Sequence, residues 1–279
     1  MDEQTPAHLE IVEASYGKES VRVLTWANLE DGLTPRDVSL AVNVEGDFLA
    51  SFRAGDNAAI LPSDTLRRHA LAECNASPAA TVDELIERIA RRLLGANVAF
   101  TAVAVTACTR VWQRTDEHCF ALASWQGVAQ VRAVRFQPME LSGGVRGLRI
   151  LLTTGSGFSG FLRDELTTQR ESTDRPLCGS LDATWTYRRE QPAAPTTENL
   201  VAELLSSIAG RSSNSIQQLL TDVGEVVLAA NDELATLVLH FQSAPLSALP
   251  PDLAGVSGGN TYEVGSEAVG VTRVALRRT

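Results

Sequence analysis

The chain has 279 residues, 44% hydrophobic, 21% charged and 5% aromatic, a composition that excludes collagen-like, coiled-coil and wholly disordered chains. Its net charge of -10 (24 Lys and Arg against 34 Asp and Glu) disfavours nucleic acid and anionic membrane as partners, since both demand a basic face. Of the 24 cationic residues only Lys18 is a lysine. Arginine replaces lysine on a solvated face at little cost, but not where an amine must lose its proton, because guanidinium stays charged.

The N-terminus, Met1-Asp2-Glu3-Gln4, is acidic where a signal peptide needs positive charge. The most apolar stretch, Ala96 to Cys108, is too short to span a bilayer. Cys74, Cys108, Cys119 and Cys178 show no C-x-x-C spacing, and His8, His69, His118 and His240 are scattered. These residues carry no zinc or thioredoxin signature and suit free thiols in a reducing compartment, with the cytoplasm as the expected location.

Val21 to Ala27 and Val38 to Phe52 alternate apolar and polar residues across a turn at Asp31-Gly32, which predicts an antiparallel strand pair. A loop follows at Arg53 to Asn57, and Ser63-Asp64-Thr65 resembles an N-cap signal before a helix at Leu66 to Ala72. Thr81 to Leu94 is the clearest helix, with a capping box at Thr81 and Glu84, one apolar face and Gly95 as its stop. Val98 to Trp112 and Phe120 to Trp125 read as strands. The second half repeats the order: strands at Val128 to Phe136, Leu148 to Thr154 and Leu181 to Tyr187, helices at Asn199 to Ala209 and Ile216 to Ala230, then strands at Thr236 to Phe241 and Val271 to Leu276. A linker, Gln191 to Pro195, lies inside this second unit. The expected class is α+β, an antiparallel sheet with helices on one face, in two units at 1–126 and 127–279.

Gly155-Ser156-Gly157-Phe158-Ser159-Gly160 fits G-x-G-x-x-G after a strand. A dinucleotide site then needs a long apolar helix and a parallel strand, and Phe161 to Asp174 supplies neither. The segment Leu151 to Thr168, with Thr173-Asp174-Arg175 and Leu181 to Tyr187, instead closely resembles the urate oxidase (uricase) family. The resemblance extends to Tyr16-Gly17-Lys18-Glu19-Ser20-Val21-Arg22-Val23, Gly55-Asp56-Asn57, Ser63-Asp64-Thr65 and Ser215-Ile216-Gln217-Gln218, covering roughly residues 10 to 240 in matching order.

This resemblance implies two tandem T-fold (tunnelling-fold) units, sheets that close into a barrel on pairing, and a homotetramer. It implies no metal and no organic cofactor, with dioxygen and a purine-like anion as substrates. Lys18 falls on the family's catalytic lysine, and Ser63 on its hydroxyl partner, usually Thr. Phe158 resembles the residue that stacks on the purine, Arg175 its bidentate clamp and Gln217 the amide on the opposite edge, with backbone groups of Asp64 and Ile216 completing the pocket. Read without the resemblance, Lys18 is a surface lysine, Phe158 a core residue and Arg175 an ion-pair partner of Asp174. In the family Lys and hydroxyl come from one subunit, and Phe, Arg and Gln from its neighbour.

One segment departs from the pattern. The family carries a Pro-Asn-x-His-like stretch after the strand that is Thr236 to Phe241 here. Aligning on Asp252-Leu253 puts Pro245 at the Asn position and Ser247 at the His position. The nearest imidazole is His240. The expectation is a protein equipped to bind and deprotonate a purine-like ring but altered in handling oxygen. Its alternatives are a paralogue acting on another heterocycle in a biosynthetic pathway, and a non-catalytic purine-binding protein. A mere binder has no need of a titratable amine at Lys18.

Overall fold

The computed structural model describes residues 10–29, 32–78, 80–188, 195–250, 252–253, 256–257, 261–265 and 269–278. Residues 1–4, His8, Asp31 and 191–194, on which expectations above fell, lie outside the described residues. The chain divides into two compact units, Met1–Cys108 with Ala129–Leu141, and Thr109–Val128 with Ser142–Thr279.

In the first unit, β1 (Ser15–Leu29) pairs antiparallel with β2 (Gly32–Gly46), Val23 facing Val38. Strict alternation on β2 turns Val38, Leu40, Val42 and Val44 to one face, all buried. Three helices follow: α1 (Leu49–Ala54), α2 (Ser63–Ala76) and α3 (Val82–Ala96). Leu66, Ala70 and Cys74 of α2 and Leu85, Ile86, Ile89 and Leu93 of α3, at helical spacing, are buried in the same core as the β2 residues. Burial stabilises each Leu or Ile by about 1.5–3 kcal/mol. The Thr81–Glu84 capping box forms as expected, the Thr81 hydroxyl accepting from Glu84 N (3.2 Å) and Glu84 accepting from Thr81 N (2.9 Å).

Strands β3 (Phe100–Asp116) and β4 (Cys119–Val134) contribute to both units. The second unit continues with β5 (Glu140–Phe158), β6 (Ser172–Tyr187), α4 (Thr197–Ala209), α5 (Ile216–Ala230) and β7 (Leu234–Ala244). Short pieces β8 (Leu246–Ala248), β9 (Asp252–Leu253), β10 (Val256–Ser257) and β11 (Tyr262–Val264) precede β12 (Gly270–Arg277). The order β5-β6-β7-β12 is antiparallel throughout. Leu181, Trp185, Leu239 and Phe241 share a buried core with Leu204 of α4 and with Leu220 and Val223 of α5. The architecture is the expected α+β antiparallel one.

The repeat is written in one side chain per unit. The Arg135 guanidinium donates to the carbonyls of Leu94 (2.7 Å), Asn97 (3.1 Å) and Phe100 (2.9 Å), while its own N–H bonds Thr101 O (2.9 Å). In the second unit the Arg278 guanidinium donates to the carbonyls of Leu228, Asn231 (3.1 Å) and Leu234 (3.4 Å), and its N–H bonds Ala235 O (3.0 Å). The acceptors stand at identical spacing. Each arginine satisfies the open carbonyls at a helix C-terminus and joins them to the strand that follows.

That device explains one departure from expectation. Gly95 does not stop α3; the helix runs to Ala96 and Asn97 leaves it in extended backbone. Arg135 supplies the donors that a left-handed glycine turn supplies elsewhere. Other boundaries also move. Phe52 and Arg53 belong to α1, not to a strand and a loop. Residues 120–125 and 128–136 are not two strands, because β4 runs unbroken through 125–128. Ser63 does not cap α2; Pro62 does, through its carbonyl, and Ser63 is the first helical residue. Among the described residues no helix is long and apolar enough to cross a membrane.

Candidate active site

Lys18 sits on β1, opposite Val42. Gly17 beside it is required by space, since a Cβ there would meet Val42 O at 2.1 Å. Directly after Lys18 the ladder breaks: the next pair is Val21 with Leu40, and Ser20 adopts φ 58, the left-handed region. Tyr16, two residues before Lys18 and on the same strand face, reaches the segment ahead of α2. Its hydroxyl donates to Leu61 O (2.9 Å) and accepts from Leu61 N (2.9 Å). Burial pushes the Tyr16 phenol above its ordinary pKa, so it remains a donor.

Ser63 follows Leu61 by two residues and opens α2. Within the helix, Pro62 O takes the N–H groups of Thr65 (2.8 Å) and Leu66 (3.2 Å). The N–H groups of Ser63 and Asp64 are thus the open donors of the first turn. The Asp64 carboxylate turns outward to Arg67 (2.8 Å) and Arg68 (2.9 Å), which hold it below the usual carboxylate range. Lys18 and the Ser63 hydroxyl have no hydrogen-bond or ion-pair partner among the described residues.

The second unit gathers the other four residues. Between Leu152–Leu177 and Ser156–Arg175, β5 uses three intervening residues and β6 one. The surplus bulges at Thr154-Gly155, with Gly155 at φ 84. Asp174 fills this bulge: its carboxylate accepts from Thr154 Oγ1 (2.5 Å) and Gly155 N (2.7 Å). The Thr154 hydroxyl first, then backbone N–H groups, hold Asp174 below the usual carboxylate range. Asp174 is therefore not the ion-pair partner of Arg175. The Arg175 guanidinium lies 5.4 Å from the centroid of the Phe158 ring. Phe158 is half-buried and outside the apolar core. One of its faces stacks on Phe161, centroids 4.7 Å apart at 13°.

The lead-in to α5 is tied to the same bulge, Gly157 N donating to Ser213 O (2.7 Å) and Ser213 N to Gly155 O (2.9 Å). The hydroxyls of Ser156 and Ser213 are buried there without a protein partner. Ser215 caps α5 through Gln218 N (3.1 Å), and the Gln218 amide oxygen accepts from Asn214 N (3.0 Å). Of the two adjacent glutamines, Gln218 is spent on the cap and Gln217 is left exposed. Ile216 and Gln217 open α5 as Ser63 and Asp64 open α2, each pair with free N–H groups at a positive helix end, suited to an anion.

Sequence reading named Lys18, Ser63, Phe158, Arg175 and Gln217 and missed the groups that hold their surroundings. Tyr16, Asp174 and Phe161 stand inside the quoted motifs, but the partners of Tyr16 and Asp174 are remote in the chain. His240, the imidazole nearest the altered segment, sits on β7. It lies on the sheet face opposite Phe241, which packs in the α5 core, and stands level with Asp182 and Arg273. Pro245 follows β7, its carbonyl accepting from Gly265 N (2.9 Å), and Ser247 is exposed on β8 opposite Glu263.

The profile of the family described as Uricase matches residues 141–250. The uricase of Arthrobacter globiformis is 29% identical over 227 residues, 78% of this chain and 73% of that protein. The uricase of Aspergillus flavus is 26% identical over 243 residues, 80% of each chain. Among solved structures, Arthrobacter globiformis uricase superposes with a TM-score of 0.87 at 23% identity, covering 98% of this chain and 96% of that one. Urate oxidase from Bacillus sp. TB-90 gives 0.81 at 19%, covering 95% and 100%. Profile, relatives and fold all show similarity to the uricase (urate oxidase) family.

Proposed function

We propose that this chain is a cofactor-independent oxidoreductase that acts with dioxygen on urate or a related purine-like heteroaromatic. One observation carries the reading: the chain builds two complementary half-sites. One offers an unpaired amine and hydroxyl, Lys18 and Ser63, at a helix start. The other offers a stacking ring, a guanidinium and an amide, Phe158, Arg175 and Gln217, at a second helix start. Neighbouring subunits of a homotetramer, its sheets closed into barrels and its T-fold units divided near 126/127, join one half to the other. The free thiols among the described residues suit a cytoplasmic location.

Lys18 in its neutral form takes a proton from the bound monoanion through the Ser63 hydroxyl. Arg175 forks onto a carbonyl and ring nitrogen, and Gln217 and the N–H groups of Asp64 and Ile216 face the remaining polar edge, stabilising the dianion. The electron-rich ring passes one electron to dioxygen, and the radical pair joins at a ring carbon. Peroxide then leaves with the bonding electrons, and water adds to the oxidised ring.

A second reading, a diverged enzyme on another heterocycle, is favoured by Pro245 and Ser247. Neither offers the amide or imidazole that the family uses above the ring. One lost donor at a reacting centre costs on the order of 3 kcal/mol, roughly a hundredfold in rate. The deciding experiment follows urate absorbance and oxygen consumption with purified protein. Slow, oxygen-linked urate loss is expected, well below roughly 10 per second. Fast turnover removes the second reading; no binding of urate removes the first.

A further inference from the structure

We propose that Tyr16 is the positioning residue of Lys18 and Ser63, its hydroxyl pinning the entry of α2 to β1 and so setting where the amine and the hydroxyl stand. The inference rests on the reading of these two side chains as a proton relay.

The Tyr16 hydroxyl engages both main-chain groups of Leu61, donating to its carbonyl and accepting from its N–H, each at 2.9 Å. No other side chain on β1 bonds to the lead-in of α2 among the described residues. Its ring is fixed edge-on against Phe48 (5.0 Å, 68°) and Phe100 (6.5 Å, 70°), so the hydroxyl has a set position. Lys18 lies two residues beyond Tyr16, on the same face of β1. Ser63 lies two residues beyond Leu61. One bond pair therefore sits equally far behind both members of the relay.

On the far side of Lys18 there is no comparable anchor. The β1–β2 register slips between Lys18 and Val21, and Ser20 is left-handed. The α2 side is equally open, because its first residue follows Pro62 and no side chain caps the helix. A regular ladder or a capped helix fixes such groups elsewhere; here, beyond the shared apolar packing, the Tyr16 hydroxyl supplies the side-chain hydrogen bonds between the two segments among the described residues. Phenylalanine keeps the ring packing and loses the tie, leaving a peptide N–H and carbonyl without partners.

The test mixes urate with the protein without oxygen and records the ultraviolet spectrum of bound urate against pH. This reads deprotonation separately from oxygen chemistry. Wild-type protein is expected to show the dianion at neutral pH. Tyr16→Phe should bind urate with a Kd within about twofold, because Phe158, Arg175 and Gln217 are untouched, but need a pH at least about one unit higher for half conversion. Amide exchange at Leu61 should quicken in the same variant and not in Lys18→Arg. If Tyr16→Phe does not fold, Phe48→Leu, which loosens the ring and spares the hydroxyl, should give the same split in smaller measure. A wild-type spectrum in Tyr16→Phe alongside a lost dianion in Lys18→Arg overturns the role of Tyr16 and leaves the relay standing. Unchanged dianion formation in Lys18→Arg, or no urate binding by wild-type protein, overturns the relay and the inference with it. Weakened binding in step with deprotonation marks Tyr16 as merely structural and also overturns it.

Discussion

Replacing Arg135 with Met tests whether the doubled arginine device holds each unit together. The substitution keeps an unbranched apolar stem and removes three charge-assisted bonds, to the carbonyls of Leu94 (2.7 Å), Asn97 (3.1 Å) and Phe100 (2.9 Å). Such bonds contribute about 1.5–3 kcal/mol each when buried. Arg135 is only half-buried, so water replaces part of each bond. About 1 kcal/mol per bond is the fitting figure, about 3 kcal/mol in all. For a chain of this size that lowers Tm by roughly 5 °C. Thermal unfolding followed by circular dichroism at fixed protein concentration checks it. Arg135→Lys delivers a compact charge without the planar fork and should recover less than half of the loss. Arg278→Met should behave likewise, since its acceptors repeat the spacing. A Tm within about 2 °C of wild type in both Met variants would refute the argument that these guanidinium groups close the helix ends.

Lys18→Arg should lower turnover by a factor on the order of a hundred or more while the Kd for a non-reacting purine stays close to wild type, because guanidinium cannot serve as base; steady-state kinetics and calorimetric titration separate the two. Asp174→Ala frees the Thr154-Gly155 bulge and should raise KM roughly tenfold with kcat largely kept, since Phe158 and Arg175 lose their setting but Lys18 does not; an unchanged KM refutes it. His69 accepts from Arg92 Nε through Nδ1 (3.0 Å), and burial, then Arg92, lowers its pKa from 6.5. Its contribution is therefore present above pH 6.5 and lost as pH falls through the lower folded value. His69→Asn should flatten the fall in denaturation midpoint across that window, and a fall as steep as in wild type contradicts the assignment.

Local chemistry was legible in the sequence and remote chemistry was not. The Thr81–Glu84 box is written within four residues and forms as read; the Ser215 cap is equally local. Alternation along β2 and helical spacing along α3 gave the core face of each. Two of the misreadings share one cause: the deciding partner is far away. Gly95 looked like a stop because Arg135, in the turn after β4, was out of view. Asp174 looked like an ion-pair partner because Arg175 is its neighbour, whereas its carboxylate serves a bulge twenty residues upstream. The residues proposed to touch a ligand carry unusual types, such as a lone Lys or a Gly-flanked Phe. Tyr16, proposed to position them, is an ordinary core type whose tie to Leu61 shows only in three dimensions.

The same logic bears on the altered C-terminal segment. Pro245 is not an isolated replacement on an otherwise unchanged strand end. Gly265 donates its N–H to Pro245 O, and a Cβ on Gly265 would come within 2.7 Å of the Pro245 ring. Leu246, Ser247 and Ala248 then pair in register with Val264, Glu263 and Tyr262. Proline with no N–H to offer, a glycine fitted to its ring and a hairpin running on from both form one local unit. The bulge with Asp174, the cap at Ser215 and the Tyr16–Leu61 tie are formed around the residues proposed to bind and deprotonate. On the proposed function, the segment that would meet oxygen and water has changed together with packing of its own, a pattern expected when binding and ionising a flat anion is kept and the later steps are free to change.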